Sequence, residues 1–366
     1  MRISLALSGA LIVLLLVACG EDAQQPLNAP TSVSSLLGAP AVAGYARAVE
    51  PREFTFPTDH GPHPDFRSEW WYWTGNLTTA DGRAFGYQFT VFRFALAPLT
   101  TGPERTSAWA ARESWLAHLT LSDIAGGHFY SFERAGRGAL DLAGATADPF
   151  RVHCDGWQVA GTPMRIQADA GAIALDLTLA AGKPVVLQGD HGLSRKGVEP
   201  GNASLYYSLT RMPTTGTVRV AEQTFPVSGA SWMDREWSTS ALAPGVVGWD
   251  WFALQLADGR DLMFYRLRRA DGSATSFSGG ALIAVDGTVT RLTADEVTIT
   301  QQGSWTSRTG TTYPAGWHLR VRDLDLVITP ALADQELDLT VRYWEGAVKI
   351  TGSTTGVGYV ELAGYP

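Results

Sequence analysis

Almost every segment after residue 53 alternates apolar and polar side chains with a period of two. No stretch keeps an apolar 3.6-residue period for the length of a solid helix. Phe85, Tyr87, Phe89 and Val91 alternate with Gly86, Gln88 and Thr90. Leu324, Leu326 and Ile328 alternate with Asp323, Asp325 and Val327, and Leu337, Leu339, Val341 and Tyr343 with Asp338, Thr340 and Arg342. Successive side chains of a strand point to opposite faces, so such a chain folds into strands with two chemically different sides. Asp81-Gly82, Asp155-Gly156, Asp258-Gly259, Asp271-Gly272 and Asp286-Gly287 supply hairpin turns between them. The expected fold class is all-β, built from up-and-down antiparallel hairpins, and closure into β-barrels is the usual way to remove exposed edges.

A chain of 366 residues exceeds what one core usually serves, so two domains are expected. A faint repeat supports two copies. Trp71-Tyr72-Trp73 precedes Asp81-Gly82-Arg83 much as Trp249-Asp250-Trp251 precedes Asp258-Gly259-Arg260.

The N-terminus reads as an address. Met1-Arg2 carries one positive charge, and Leu5 to Val17 is an apolar run of signal-peptide length, too short for a span of roughly 20 residues. The run ends in Leu16-Val17-Ala18-Cys19, which resembles a bacterial lipoprotein cleavage box. On this reading residues 1–18 are a signal peptide and Cys19 is acylated. Residues 19–52, rich in Ala, Pro, Ser and Gly, form a flexible tether. Gly20 after Cys19 favours the outer membrane, on its periplasmic face, by analogy with Gram-negative sorting. The formal net charge of −8 argues against nucleic acid as a partner. With Cys19 acylated, Cys154 has no cysteine to pair with and is expected to be a packing residue.

Two clusters carry the candidate chemistry. Asp59 to Leu77 sets Glu69, His60 and His63 around Trp70-Trp71-Tyr72-Trp73, and Trp232-Met233-Asp234-Arg235-Glu236-Trp237 again places carboxylates between indoles. Such rings can hold an apolar guest or steady a cation. A carboxyl group pressed against them loses hydration, which raises its pKa and suits it to donate a proton near neutral pH, while an adjacent Arg keeps its partner ionised. Glu69, Asp234, Glu236, Asp250 and Glu345 form this set. No Gly-x-Ser-x-Gly elbow, phosphate-cradling glycine loop or His-Glu-x-x-His helix occurs. The His60 and His63 pair lacks a Cys or carboxylate ligand at zinc spacing, so no metal is expected. These features suit protonation of an isolated alkene, with aromatic faces sheltering the carbocation until water is steered in.

At His63-Pro64-x-Phe66-x-x-Glu69-Trp70-Trp71-Tyr72-x-Thr74-Gly75 the chain resembles the carotenoid 1,2-hydratase-like family, which includes predicted secreted hydrolases. The resemblance continues through Trp115-Leu116-Ala117-His118, Trp232 to Trp237, Gly248 to Phe252, Tyr343 to Gly346 and Gly358 to Leu362. It implies two lipocalin-like antiparallel β-barrels in tandem, with a ligand cavity in or between them, and water addition without a redox cofactor. The expected division is residues 53–228 and 229–366.

The leading expectation is therefore a membrane-anchored, cofactor-free hydratase or cyclase acting on a hydrophobic polyene or isoprenoid-like substrate. Asp234 is the expected proton donor, with Glu69 or Asp250 as its partner and His63 or His118 relaying protons or placing water. Trp70, Tyr72, Trp232, Trp237, Trp251 and Tyr343 are expected to bind the ligand. The rival is a non-catalytic lipocalin-like carrier or sensor of a lipid or polyene.

Overall fold

A computed structural model describes residues 43–99 and 107–366. The leader, Cys19 and the tether up to residue 42 lie outside the described residues. The regular secondary structure of the described residues is almost wholly antiparallel strand, in a 13-stranded and a 10-stranded sheet with one small two-stranded ribbon. Each large sheet is a meander whose first strand returns to pair with its last. Ser68–Thr78 pairs with Gln223–Ser238 in the first, and Val246–Leu256 with Gly356–Ala363 in the second. This pairing curls each sheet into a nearly closed barrel and produces two lipocalin-like barrels in tandem. The two halves of the sequence repeat are their opening hairpins, Ser68–Thr78 with Ala84–Ala95 and Val246–Leu256 with Asp261–Arg269.

The expected division after Ser228 is corrected by the register. Ser228 lies inside the strand Gln223–Ser238, which pairs from Ser228 to Ser238 with Ser68–Thr78 on one side and with Ala203–Val220 on the other. The Trp232 to Trp237 cluster therefore belongs to the first barrel. The chain passes to the second barrel between Ser238 and Val246.

Alternation fills each barrel from one strand face. Trp71, Trp73, Phe89, Val91, Leu119 and Met233 pack inside the first, and Cys154 is buried in the same core. Phe252, Leu254, Phe264, Trp317, Trp344 and Leu362 fill the second. The opposite faces of the two opening regions meet each other through Tyr72, Tyr206, Trp232, Trp251, Tyr265 and Tyr359. Gly86 lies at a close approach of the two, where a Cβ would come within 2.6 Å of the Ala347 methyl group and of the Tyr359 hydroxyl.

Polar bonds fix this joint. The buried Asp261 of the second barrel accepts from Thr210 (2.8 Å) and Arg211 (2.6 and 2.9 Å), and Lys183 lies 2.9 Å away. Gln255 donates to the Thr210 carbonyl at 2.7 Å and Asn76 to the Gly358 carbonyl at 3.1 Å. A buried carboxylate held by two cations and a hydroxyl has its charge compensated only when the barrels are docked.

Truncation tests the register. A fragment of residues 43–228 loses most of the strand that closes the first barrel and is expected to show no cooperative thermal transition by circular dichroism. Extension to residue 241 should restore one. A cooperative melt for the shorter fragment would contradict the pairing of Ser68–Thr78 with Gln223–Ser238.

Candidate active site between the barrels

The strand pair Ser68–Thr78 and Gln223–Ser238 sends its side chains to two places. Tyr72 stands opposite Asp234 and Trp70 opposite Glu236, and these four line a cavity between the barrels. Glu69 stands opposite Trp237, so it shares the other face with Trp71 and Arg235. There Glu69 is fully buried, ion-paired with Arg93 and Arg235, and accepts the His63 backbone N–H at 3.0 and 3.1 Å. The Arg235 guanidinium lies 3.8 Å from the centre of the Trp71 ring, and His63 stacks on Trp237 at 3.7 Å. Burial alone would push the Glu69 carboxyl up. The Arg235 charge, the His63 hydrogen bond and the Arg93 charge outweigh it and hold Glu69 well below the usual carboxylate range.

The cavity encloses about 1000 Å³, its mouth included, and its apolar lining includes Phe92, Phe94, Leu116, Leu242, Trp249 and Trp251. Four acidic side chains enter it: Asp234 and Glu236 from the first barrel, Glu345 and Glu361 from the second. Asp234 accepts from Trp232 (2.7 Å) and Ser208 (2.6 Å) on Oδ1, and from the Tyr206 hydroxyl on Oδ2. Burial lifts its pKa to about 7 against these three bonds.

Glu345 and Glu361 face each other directly across paired strands. Tyr72 of the first barrel donates to Glu345 Oε1, while Glu345 Oε2 is buried with no protein partner. Burial, and then the charge of Glu361 opposite, raise Glu345 well above the ordinary range. Burial lifts Glu361 to about 7, opposed by a hydrogen bond from Trp249. Two carboxyl groups this close cannot both ionise cheaply, so the pair holds on to a proton.

Lys196 and Tyr343 add polar groups to the lining. Lys196 is paired with Glu236 and donates to Ser204 at 2.7 Å. The Tyr343 hydroxyl meets His118 Nδ1 at 2.8 Å, and His118 Nε2 meets Glu133 Oε2 at 3.1 Å. Among the described residues, no group of three His, Cys, Asp or Glu side chains is placed to hold a metal ion.

The structure thus gathers Asp234, Trp70, Tyr72, Trp251 and Tyr343 at the cavity. Trp232 stands behind Asp234 as its hydrogen-bond donor. His118 is buried one step back, behind Tyr343. Glu69 and Trp237 are not brought there, because alternation turns them to the opposite face of the sheet, and His63, in the segment before that strand, stacks on Trp237 on that face. Asp250 is excluded by the same rule. It sits on the far face from Trp249 and Trp251, bonded to Arg268 (2.8 Å) and Tyr365 (2.9 Å). Glu69 and Asp234 also come from one barrel rather than from two. Glu361, Lys196 and Tyr206 are absent from the candidates the sequence offers, and Glu345 stands there only as a member of the carboxylate set, without a part of its own. Their signal was phase: Glu345 follows Tyr343 by two, and Glu361 follows Tyr359 by two, so each acid shares a face with an aromatic residue of the joint.

The sequence profile of the AttH-like family matches residues 47–365. The chain is a member of the AttH-like family. Among solved structures it is similar to a putative AttH from Nitrosomonas europaea, at 36% identity and a TM-score of 0.79, over 88% of this chain and 100% of that one. It also shares its fold with kievitone hydratase from Nectria haematococca, at 16% identity and a TM-score of 0.63, over 92% of this chain and 95% of that one. No curated protein matches the sequence.

In this AttH-like protein the two acidic centres predict opposite pH responses. Glu69 binds protons more weakly folded than unfolded, so its stabilisation is present above its unfolded pKa and fades as pH falls below it. Asp234 binds its proton more tightly folded, so its contribution is present below about pH 4 and is lost as pH rises to about 7. Glu69→Gln strands two buried guanidiniums and should cost about 3–5 kcal/mol at neutral pH in urea unfolding. Asp234→Asn should flatten the decline between about pH 4 and 7. A Glu69→Gln protein as stable as the parent would contradict the account of that centre.

Proposed function

We propose that this AttH-like protein is a hydratase- or cyclase-type enzyme that protonates an alkene of a hydrophobic, unsaturated substrate bound between the barrels, using its own carboxyl groups. The observation that carries this is Glu345: a buried acid with a raised pKa, one oxygen held by Tyr72 and the other without a protein partner, in an aromatic cavity. A neutral carboxyl is the form that can donate a proton to carbon. Glu345 replaces Asp234 as the leading donor because three hydrogen bonds already occupy both Asp234 oxygens. Trp70, Trp249 and Trp251 offer ring faces to the cation formed, and Glu361, once ionised, takes the proton from the incoming water. Kievitone hydratase is by its name a hydratase on the same fold, and the family resemblance in sequence points to the same reaction class. An acyl anchor at Cys19 would hold the cavity at a membrane, where such substrates reside.

The test uses lipid extracted with the purified protein, returned to it in water enriched in oxygen-18. Labelled oxygen should enter the ligand, at least about a hundredfold more slowly with Glu345→Gln. The rate should rise as pH passes about 7, where Glu361 gives up its proton, and fall only when Glu345 ionises at higher pH. A ligand recovered unlabelled and unchanged would overturn the enzymatic reading in favour of carriage.

A further inference from the structure

The cavity carries one feature that protonating an alkene does not require. Lys196 is nearly buried, with its ammonium 5.7 Å from the ring centre of Tyr206 and 5.6 Å from that of Tyr265. It donates to Ser204 Oγ and to Glu236 Oε1, and Ser204 donates to that same oxygen. An ammonium group has three N–H donors, so one remains, and Glu236 keeps Oε2 as an acceptor. Burying such a pair costs several kcal/mol of lost hydration per ion before attraction repays it. A purely hydrocarbon ligand would strip the remaining water from both and return nothing.

We propose that the ligand of this cavity is amphipathic: an unsaturated apolar body against the aromatic lining, ended by a neutral hydroxyl held between Lys196 and Glu236. A hydroxyl both donates and accepts, which matches a free N–H beside a free carboxylate oxygen. A carboxylate end fits worse. Its attraction to Lys196 is already answered by Glu236, and it would enter a lining with one cation and four acidic side chains. Glu236 and Asp234 lie two positions apart on one strand, roughly 7 Å along it. Asp234 stands opposite Tyr72, the donor to Glu345. A hydroxyl at Lys196 thus sets the reacting double bond a few carbons further along the ligand. The proposal rests on the cavity being the ligand site and holds for a carrier as well as for an enzyme.

Retinol, retinoic acid and axerophthene share one polyene and end in hydroxyl, carboxylate and hydrogen. Their affinities at pH 8 can be read by quenching of tryptophan fluorescence, since Trp70, Trp249 and Trp251 line the cavity. Retinol should bind about tenfold more tightly than either of the others, the worth of one or two hydrogen bonds. Lys196→Met combined with Glu236→Gln, which removes both charges together, should bring retinol and axerophthene within about twofold. Equal affinities in the parent protein, or a preference for retinol that survives the double substitution, would overturn the hydroxyl subsite and leave the cavity standing. Failure of all three to bind would overturn the cavity reading and this proposal with it. Should the double variant not fold, the ranking on the parent protein decides alone. None of these outcomes depends on whether oxygen-18 enters a ligand.

Discussion

The return of strand Gln223–Ser238 to strand Ser68–Thr78 is the constraint on which the rest depends. It closes the first barrel, and its register decides which side chains meet. On the inner face it brings Arg235 to Glu69, completing an ion network with Arg93 that is fully removed from water. On the outer face it brings Asp234 beside Tyr72 and Glu236 beside Trp70, which is half of the cavity. A slip of one residue would exchange the two sets, putting ionised groups in the cavity and half-neutral ones in the core.

The second barrel repeats this logic with different residues. Its first and last strands, Val246–Leu256 and Gly356–Ala363, turn Asp250 inward to Arg268 and send Trp251 and Glu361 outward. Each barrel thus keeps one carboxylate fixed by arginine on its inner side and offers protonatable carboxyls to the joint. The bonds from Tyr72 to Glu345 and from His118 to Tyr343 cross between barrels, so the site exists only when they are docked. The Arg211, Lys183 and Asp261 cluster and the close contact at Gly86 hold that docking.

Much of this was legible in the sequence, because side-chain alternation is a local property. The all-β class, the two opening hairpins and the importance of the Glu69 to Trp73 and Trp232 to Trp237 clusters follow from it. The sequence places the boundary too early because the closing strand of a barrel lies far in sequence from the strand it pairs with, and a cluster resembling a new start is the end of the first unit. Glu69 and Asp250 look like site residues in the sequence because an acid beside indoles reads alike on either face. Only the register says which face is which. The Glu345 and Glu361 pair needs two strands in register, and the Lys196 and Glu236 pair needs a residue just past the end of the strand Leu193–Arg195 to meet two others, with Ser204 on the strand between them in contact with both. Sequence proximity could not supply either.

The central claim is that Glu345 stays uncharged in the folded protein at neutral pH. Infrared spectroscopy reads it directly, because a protonated carboxyl absorbs apart from carboxylates and from the amide bands. At pH 8, where Asp234 and Glu361 are largely ionised, the protein should retain one buried carboxylic-acid band that shifts in heavy water and disappears in Glu345→Gln. No such band, or one that Glu345→Gln leaves in place, would contradict the claim.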